Sequence, residues 1–191
     1  MGTTSEVLKL NLGCGVNLKE GYVNVDKYGT PDFLWDLEEF PWPWDDSSVD
    51  EITLDNVLEH IGQTNDVFLK VMQELYRICK PQAFISIVVP HPRHCNFIND
   101  PTHVRSITID GLRLFSKKNN LEWQAKNGAN SPYALHLNVD FEIVKEAYVL
   151  EEPWKGHFEA GKITKEQVGQ AIQQYNSVVR DILIVLKVIK E

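Results

Sequence analysis

The chain has 191 residues, with 27 Asp and Glu against 19 Lys and Arg, and its net charge of −8 excludes a general attraction to nucleic acid or anionic membranes. Its 43% apolar and 24% charged residues are those of a soluble globular protein, long enough for one domain over residues 1–191. Three scattered cysteines (Cys14, Cys79, Cys95) offer no disulfide framework, no run approaches the ~18 apolar residues of a membrane span, and residues 1–5 carry no leader pattern, which together predict a cytoplasmic protein.

In chain order, residues 7–12 read as a short, nearly continuous apolar strand and 22–25 as a second. Residues 33–36 and 50–54 are the third and fourth strands, separated by a turn-rich run holding Pro41 and Pro43. A helix over 64–80 follows. Its apolar positions Val67, Phe68, Val71, Met72, Leu75, Tyr76, Ile78 and Cys79 form one broad stripe, and Pro81 stops it. Residues 83–89, AFISIVV, read as a buried strand bounded by Pro90. Thr108 caps a helix carrying Leu112, Leu114 and Phe115. A long strand over 141–150, a helix over 164–177 and a very apolar strand over 182–189 complete the chain. Strand–helix alternation of this kind predicts an α/β class, doubly wound around a mostly parallel sheet, with ligands bound beyond the carboxyl ends of the strands. No repeat, low-complexity tract or linker divides it.

The first strand breaks into Gly13-Cys14-Gly15, and Asp26 follows at the end of the second strand. Glycines at a strand end let backbone N–H groups approach a ligand that a β-carbon would push away. An acid ending the second strand is placed to accept both hydroxyls of a ribose. Asp36-Leu37, after the third, offers a side-chain acceptor for an adenine amino group with a backbone N–H beside it. Each feature alone is weak; their order at successive strand ends outlines an adenosine site.

These stretches (LNLGCG, GYVNVD, WDLEEFPWPWDDSSVDEITLDNVLEHI and FLKVMQELYRICKPQAFISIVVP) resemble the class I S-adenosylmethionine-dependent methyltransferases over residues 8–115, about the first 60% of the chain. The resemblance implies a Rossmann-like seven-stranded sheet with an antiparallel last strand and helices on both faces. It implies S-adenosylmethionine as cofactor, with Gly13, Cys14 and Gly15 along its methionine part and Asp26 on the ribose. Asp36 and Leu37 would flank adenine, and Asp55 and Asn56 would lie near the sulfonium. Asn11 stands where the family's glycine motif has an acid, so it would meet the cofactor's ammonium group as a neutral acceptor. Only residues 13–21 join the first two strands, fewer than the ~10–12 of a full crossover, which predicts a turn or 3₁₀ piece there.

Methyl transfer needs an in-line nucleophile about 3 Å from the methyl carbon, and an oxygen nucleophile usually also needs a base. The histidines concentrate accordingly, with His60 in LEHI and His91, His94 and His103 in PHPRHCNFINDPTHVRS beyond the 83–89 strand. His103 leads as base or substrate contact, since DPTHVR recurs at this place in some of the resembled proteins, with His60 and His91 as further catalytic candidates. His60 is as well placed to hydrogen-bond a loop carbonyl, and Asp100 to close a turn. Arg105 is placed to hold an acidic substrate group. Trp42, Trp44 and Trp123 either wall a pocket or pack half-buried. His91, His94, Cys95 and His103 have metal-ligand chemistry, but their spacing matches no standard zinc pattern, so no metal is expected. The expected function is methylation of O or N in a small molecule, a sugar or natural-product intermediate, with neither nucleic acid nor membrane as partner. The alternative is a non-catalytic nucleoside-binding regulatory or scaffold protein of the same fold. A nicotinamide dehydrogenase is disfavoured because Leu18 stands where the third glycine of G-x-G-x-x-G would be.

Overall fold

The computed structural model describes residues 7–190, so the reading of residues 1–5 lies outside it. Seven strands form one sheet: β1 (Lys9–Leu12), β2 (Val23–Asp26), β3 (Phe33–Leu34), β4 (Val49–Asp55), β5 (Cys79–Pro90), β6 (Phe141–Leu150) and β7 (Val179–Val188). Their spatial order is β3-β2-β1-β4-β5-β7-β6. The first five run parallel, while β7 lies antiparallel between β5 and β6. The order reverses at β1, which pairs with both β2 and β4, and a reversal of this kind opens a crevice at the carboxyl ends of the strands.

The main helix, α1 (Asn65–Ile78), connects β4 to β5 and buries Phe68, Val71, Met72, Leu75 and Ile78. Each such side chain contributes about 1.5–3 kcal/mol on full burial. The helix ends before Pro81, because Cys79 already pairs with Val49 and begins β5. A register shift between Val49 and Glu51 accommodates Pro81 and Gln82, the latter at φ 68°, before regular pairing resumes at Phe84. The helix read at 164–177 is α7 (Lys165–Gln174), opened by a reciprocal capping box between Thr164 and Gln167. Six further helices were either short or masked by polar residues: α2 (Cys95–Asn99), α3 (Ile109–Arg113), α4 (Lys117–Ala125), α5 (Tyr133–Leu137), α6 (Trp154–Glu159) and a 3₁₀ turn at Leu58–His60. Of these only α3 was expected, through its Thr108 cap, which accepts from Gly111 N–H.

Register shows that the two sheet faces are unequally covered. Leu10, Ile52, Ile85 and Leu186 align across four strands and are completely buried. One residue along, Lys9, Glu51, Phe84 and Lys187 align on the opposite face and keep part of their surface exposed. Among the described residues no helix is long and apolar enough to cross a membrane.

Candidate active site

The connection between β1 and β2 is a hydrogen-bonded turn, as its length requires. Gly13 and Cys14 N–H both donate to Val25 O, at 2.8 and 3.0 Å, and Asn17 N–H donates to Cys14 O. Gly13 and Gly15 adopt φ of 68° and 52°, where L side chains are strained. The two glycines serve different ends. A Cβ on Gly13 would lie 2.5 Å from a Val57 methyl, whereas one on Gly15 would meet nothing within 4 Å. Gly13 therefore allows close packing of the strand ends, and Gly15 leaves open space.

Beyond this turn lies a cleft of about 490 Å³, within the size range of small-molecule sites, whose wall includes Gly13, Asp26, Trp35, Asp36, Leu37 and Asn56. Asp26 is braced by its own turn: one carboxylate oxygen accepts from Gly15 N–H at 2.8 Å and the other from Tyr28 N–H at 2.9 Å. Asp36 accepts from Glu38 N–H and lies 3.4 Å from Lys27 Nζ, and burial of Leu37 fixes the chain beside it. Asn56, at φ 54°, closes the β4 end, and its side chain donates to Asp55. Trp35 was not singled out in the sequence. Its indole N–H is buried without an acceptor and its ring is part of the cleft wall, a signal that only the fold exposes.

Other expected contacts lie away from the cleft wall. The Asn11 amide donates to Asn17 O at 2.9 Å and to Asn24 Oδ1 at 2.8 Å, so it anchors the short turn, leaving only its Oδ1 for a ligand. Cys14 is buried, and burial first, then the Asp26 charge, pushes its thiol pKa up. Arg105 is spent on Gly62 O and Asn65, with its guanidinium over the Phe68 ring at 4.4 Å, and lines a separate cavity of about 150 Å³. Trp42 is buried and donates to Leu37 O.

The histidines divide into two groups. His60 and Thr102 also line the cleft. His103 packs behind His60, with ring centroids 4.5 Å apart, and its side chain is only 8% exposed. It stacks on Phe97 and bonds the Phe97 carbonyl through Nδ1 at 2.9 Å, so His60 rather than His103 meets the cleft. Burial, then the neighbouring His103, lowers the His60 pKa. Asp100 closes the turn that its sequence context allowed, accepting from the N–H and hydroxyl of Thr102. His91 sits at the other group: its Nδ1 accepts from Arg93 N–H, its ring edge meets Tyr148, and it is absent from the cleft wall. His94 is buried against Glu151 at 3.3 Å. The segment 91–103 therefore does not gather His91, His94, Cys95 and His103 at one point. Among the described residues the group with metal-ligand proximity is Glu59, His60 and His103. Glu59 was overlooked because one acid in an apolar run carries no period or spacing signal.

No protein-family model matches the sequence, and no curated protein matches it. The fold does match solved structures. A S-adenosylmethionine-dependent methyltransferase from Archaeoglobus fulgidus is 16% identical, with 96% of this chain and 87% of that one covered at a TM-score of 0.57. The [4+2]-cyclase SpnF is 14% identical over 98% of this chain and 77% of its own, at a TM-score of 0.56. The 1,6-didemethyltoxoflavin-N1-methyltransferase of Burkholderia thailandensis, solved with bound 1,6-didemethyltoxoflavin and S-adenosylhomocysteine, is 12% identical, with 96% of this chain and 71% of that one covered, at a TM-score of 0.52. These likenesses establish one thing: the chain has the Rossmann-like fold of the S-adenosylmethionine-dependent methyltransferases.

Proposed function

We propose that this protein binds S-adenosylmethionine in the cleft beyond β1, β2 and β4 and transfers its methyl group to an oxygen or nitrogen of a small molecule. The observation that carries this reading is the placement of two carboxylates, Asp26 and Asp36, in one cleft at successive strand ends. Asp26 suits the ribose hydroxyls. Asp36 Oδ2 and the Leu37 N–H, which has no protein acceptor among the described residues, suit adenine. Gly15 leaves room for the methionine portion, and the Trp35 ring is part of the cleft wall. The cofactor supplies an activated methyl; the protein's part is to bind and orient it and to exclude water.

The acceptor approaches beside His60 and Thr102 in the cleft. The acidic surface favours a small molecule over nucleic acid, and three free thiols suit a reducing, cytoplasmic setting. SpnF, named a cyclase, shows that a protein of this fold need not be a methyltransferase, so binding without methyl transfer is the competing reading. Calorimetry with S-adenosylhomocysteine tests the cofactor site: saturable binding that Asp26→Ala weakens is expected, and no binding by the parent protein would refute it. Release of S-adenosylhomocysteine from S-adenosylmethionine across a panel of small hydroxyl and amine acceptors then separates transfer from binding alone.

A further inference from the structure

Glu59 is completely buried in the 3₁₀ turn after β4, and neither of its carboxylate oxygens has a hydrogen-bond partner. A buried carboxyl group without a hydrogen-bond partner is among the costlier arrangements in a protein interior. One ligand atom from each of Glu59, His60 and His103 lies within 4.8 Å of the other two. The sequence separates Glu59-His60 from His103 by more than forty positions; Val104 and Arg105 N–H, both donating to Glu59 O, tie the two segments together.

In the neutral imidazoles that can bind a metal, the hydrogen bonds fix which nitrogen carries the lone pair. The Phe97 carbonyl can only accept, so His103 Nδ1 is the protonated nitrogen and Nε2 is left as a lone pair. Thr102 Oγ1 gives its proton to Asp100 Oδ1 at 2.6 Å, so at 3.0 Å it accepts from His60 Nδ1–H, which leaves Nε2 of that ring unprotonated too. His103 Nε2 also lies 3.8 Å from Asp100 Oδ2. Two imidazoles and a buried carboxyl group thus meet at one place beside the cleft.

We infer that Glu59, His60 and His103 form a binding site for one divalent first-row transition-metal ion, held by a Glu59 oxygen and the two Nε2 nitrogens. Two imidazoles and one carboxylate are a recognised facial ligand set that leaves coordination positions open. Metal–nitrogen bonds of ~2.0–2.1 Å require ligand atoms about 3.0–3.4 Å apart, so the three side chains would have to draw closer on binding an ion. The Phe97 carbonyl and the Asp100–Thr102 pair are the outer partners that orient ligating imidazoles. Because His60 and Thr102 also line the cleft, the open positions would take an oxygen of the methyl acceptor. That role, though not the metal site itself, rests on the methyl-transfer reading.

The test is titration of metal-stripped full-length protein with Zn²⁺ by calorimetry, and with Co²⁺ by its visible ligand-field absorption. One equivalent is expected to bind. Glu59→Gln and His103→Asn should each weaken binding beyond the ~10–100-fold that loss of an outer partner costs, and Thr102→Val should fall within that range. His91→Asn should change nothing. Binding below one equivalent, or binding that all of these variants retain, would overturn the site and leave the cluster to carry a proton instead. Thr102 is exposed, so its variant remains informative if burial makes Glu59→Gln fold poorly. S-Adenosylhomocysteine affinity, measured in parallel, separates the two readings: metal loss with cofactor binding retained refutes only the metal site.

Discussion

The backbone N–H of Gly15 donates to a carboxylate oxygen of Asp26 at 2.8 Å, so the turn after β1 and the acid that ends β2 form one unit. The acid proposed to hold the ribose also shapes the loop proposed to cradle the methionine portion. Asp26→Ala should therefore weaken S-adenosylhomocysteine binding by about 1.5–3 kcal/mol, the range for hydrogen bonds to a charged group. Stability should fall by less than about 1 kcal/mol, because the freed Gly15 and Tyr28 N–H groups are exposed and regain water. Calorimetry and urea unfolding on the same preparation check both halves. Equal affinity in parent and variant would remove the ribose assignment.

The two glycines of the same turn should separate in the laboratory. Gly13→Ala sets a Cβ against Val57 at positive φ and should cost about 1–3 kcal/mol of stability. Gly15→Ala meets no protein atom and should cost only about 1 kcal/mol, yet weaken S-adenosylhomocysteine binding disproportionately. If Gly15→Ala leaves affinity intact while Gly13→Ala abolishes it at preserved stability, the roles assigned to the two positions are reversed.

Much of this was legible in the sequence wherever a local rule was strong. Residues 141–150 read as a long strand and form β6, and the stripe from Phe68 to Ile78 is the buried side of α1. The glycine turn, Asp26, Asp36 and Leu37 sit at strand ends, which apolar runs delimit well. The helices that were missed lacked such a rule: α4 reads KKNNLEWQA and buries only Asn120, while α2 and α5 have five residues each, too few to show a period. Side-chain roles were harder to read than positions. Asn11 is drawn into bracing a short turn, and Arg105 into packing on Phe68. The meeting of Glu59 and His60 with His103 depends on how the loop after β5 returns across the β4 end.

Glu74 joins the β3–β4 connection to α1. It accepts from Trp42 N–H at 2.6 Å and holds Arg77 through both carboxylate oxygens, at 2.7 and 2.9 Å. Burial alone would raise its pKa, but the bonds from Arg77 and Trp42 outweigh burial and hold it below the ordinary glutamate value. A carboxyl depressed by folding stabilises the native state above its unfolded pKa, about 4.3, and that contribution is lost as pH falls through the folded value. Glu74→Gln should therefore cost about 1.5–3 kcal/mol at pH 7, with the gap to the parent closing below about pH 4. Urea unfolding of both proteins between pH 3 and 7 checks this. A gap that does not narrow in acid would mean that the pair contributes by packing rather than by charge.

Trp35 offers a direct optical test of the cleft. Its indole N–H is buried without an acceptor, so the free protein already bears the cost of desolvating that donor. Trp35→Phe deletes the unpaired donor and keeps an aromatic ring, so stability should change by less than about 1 kcal/mol. A ligand atom that accepts from the indole would repay the donor on binding, and losing that bond should weaken S-adenosylhomocysteine by about 0.5–1.5 kcal/mol. The chain has five tryptophans, but Trp42 is buried with its N–H already given to Leu37 O. Ligand-induced change in tryptophan emission should accordingly come from Trp35 and vanish in Trp35→Phe while calorimetry still detects binding. The same emission change in the variant would place the ligand away from this wall, and with it the adenosine away from the ends of β2 and β3.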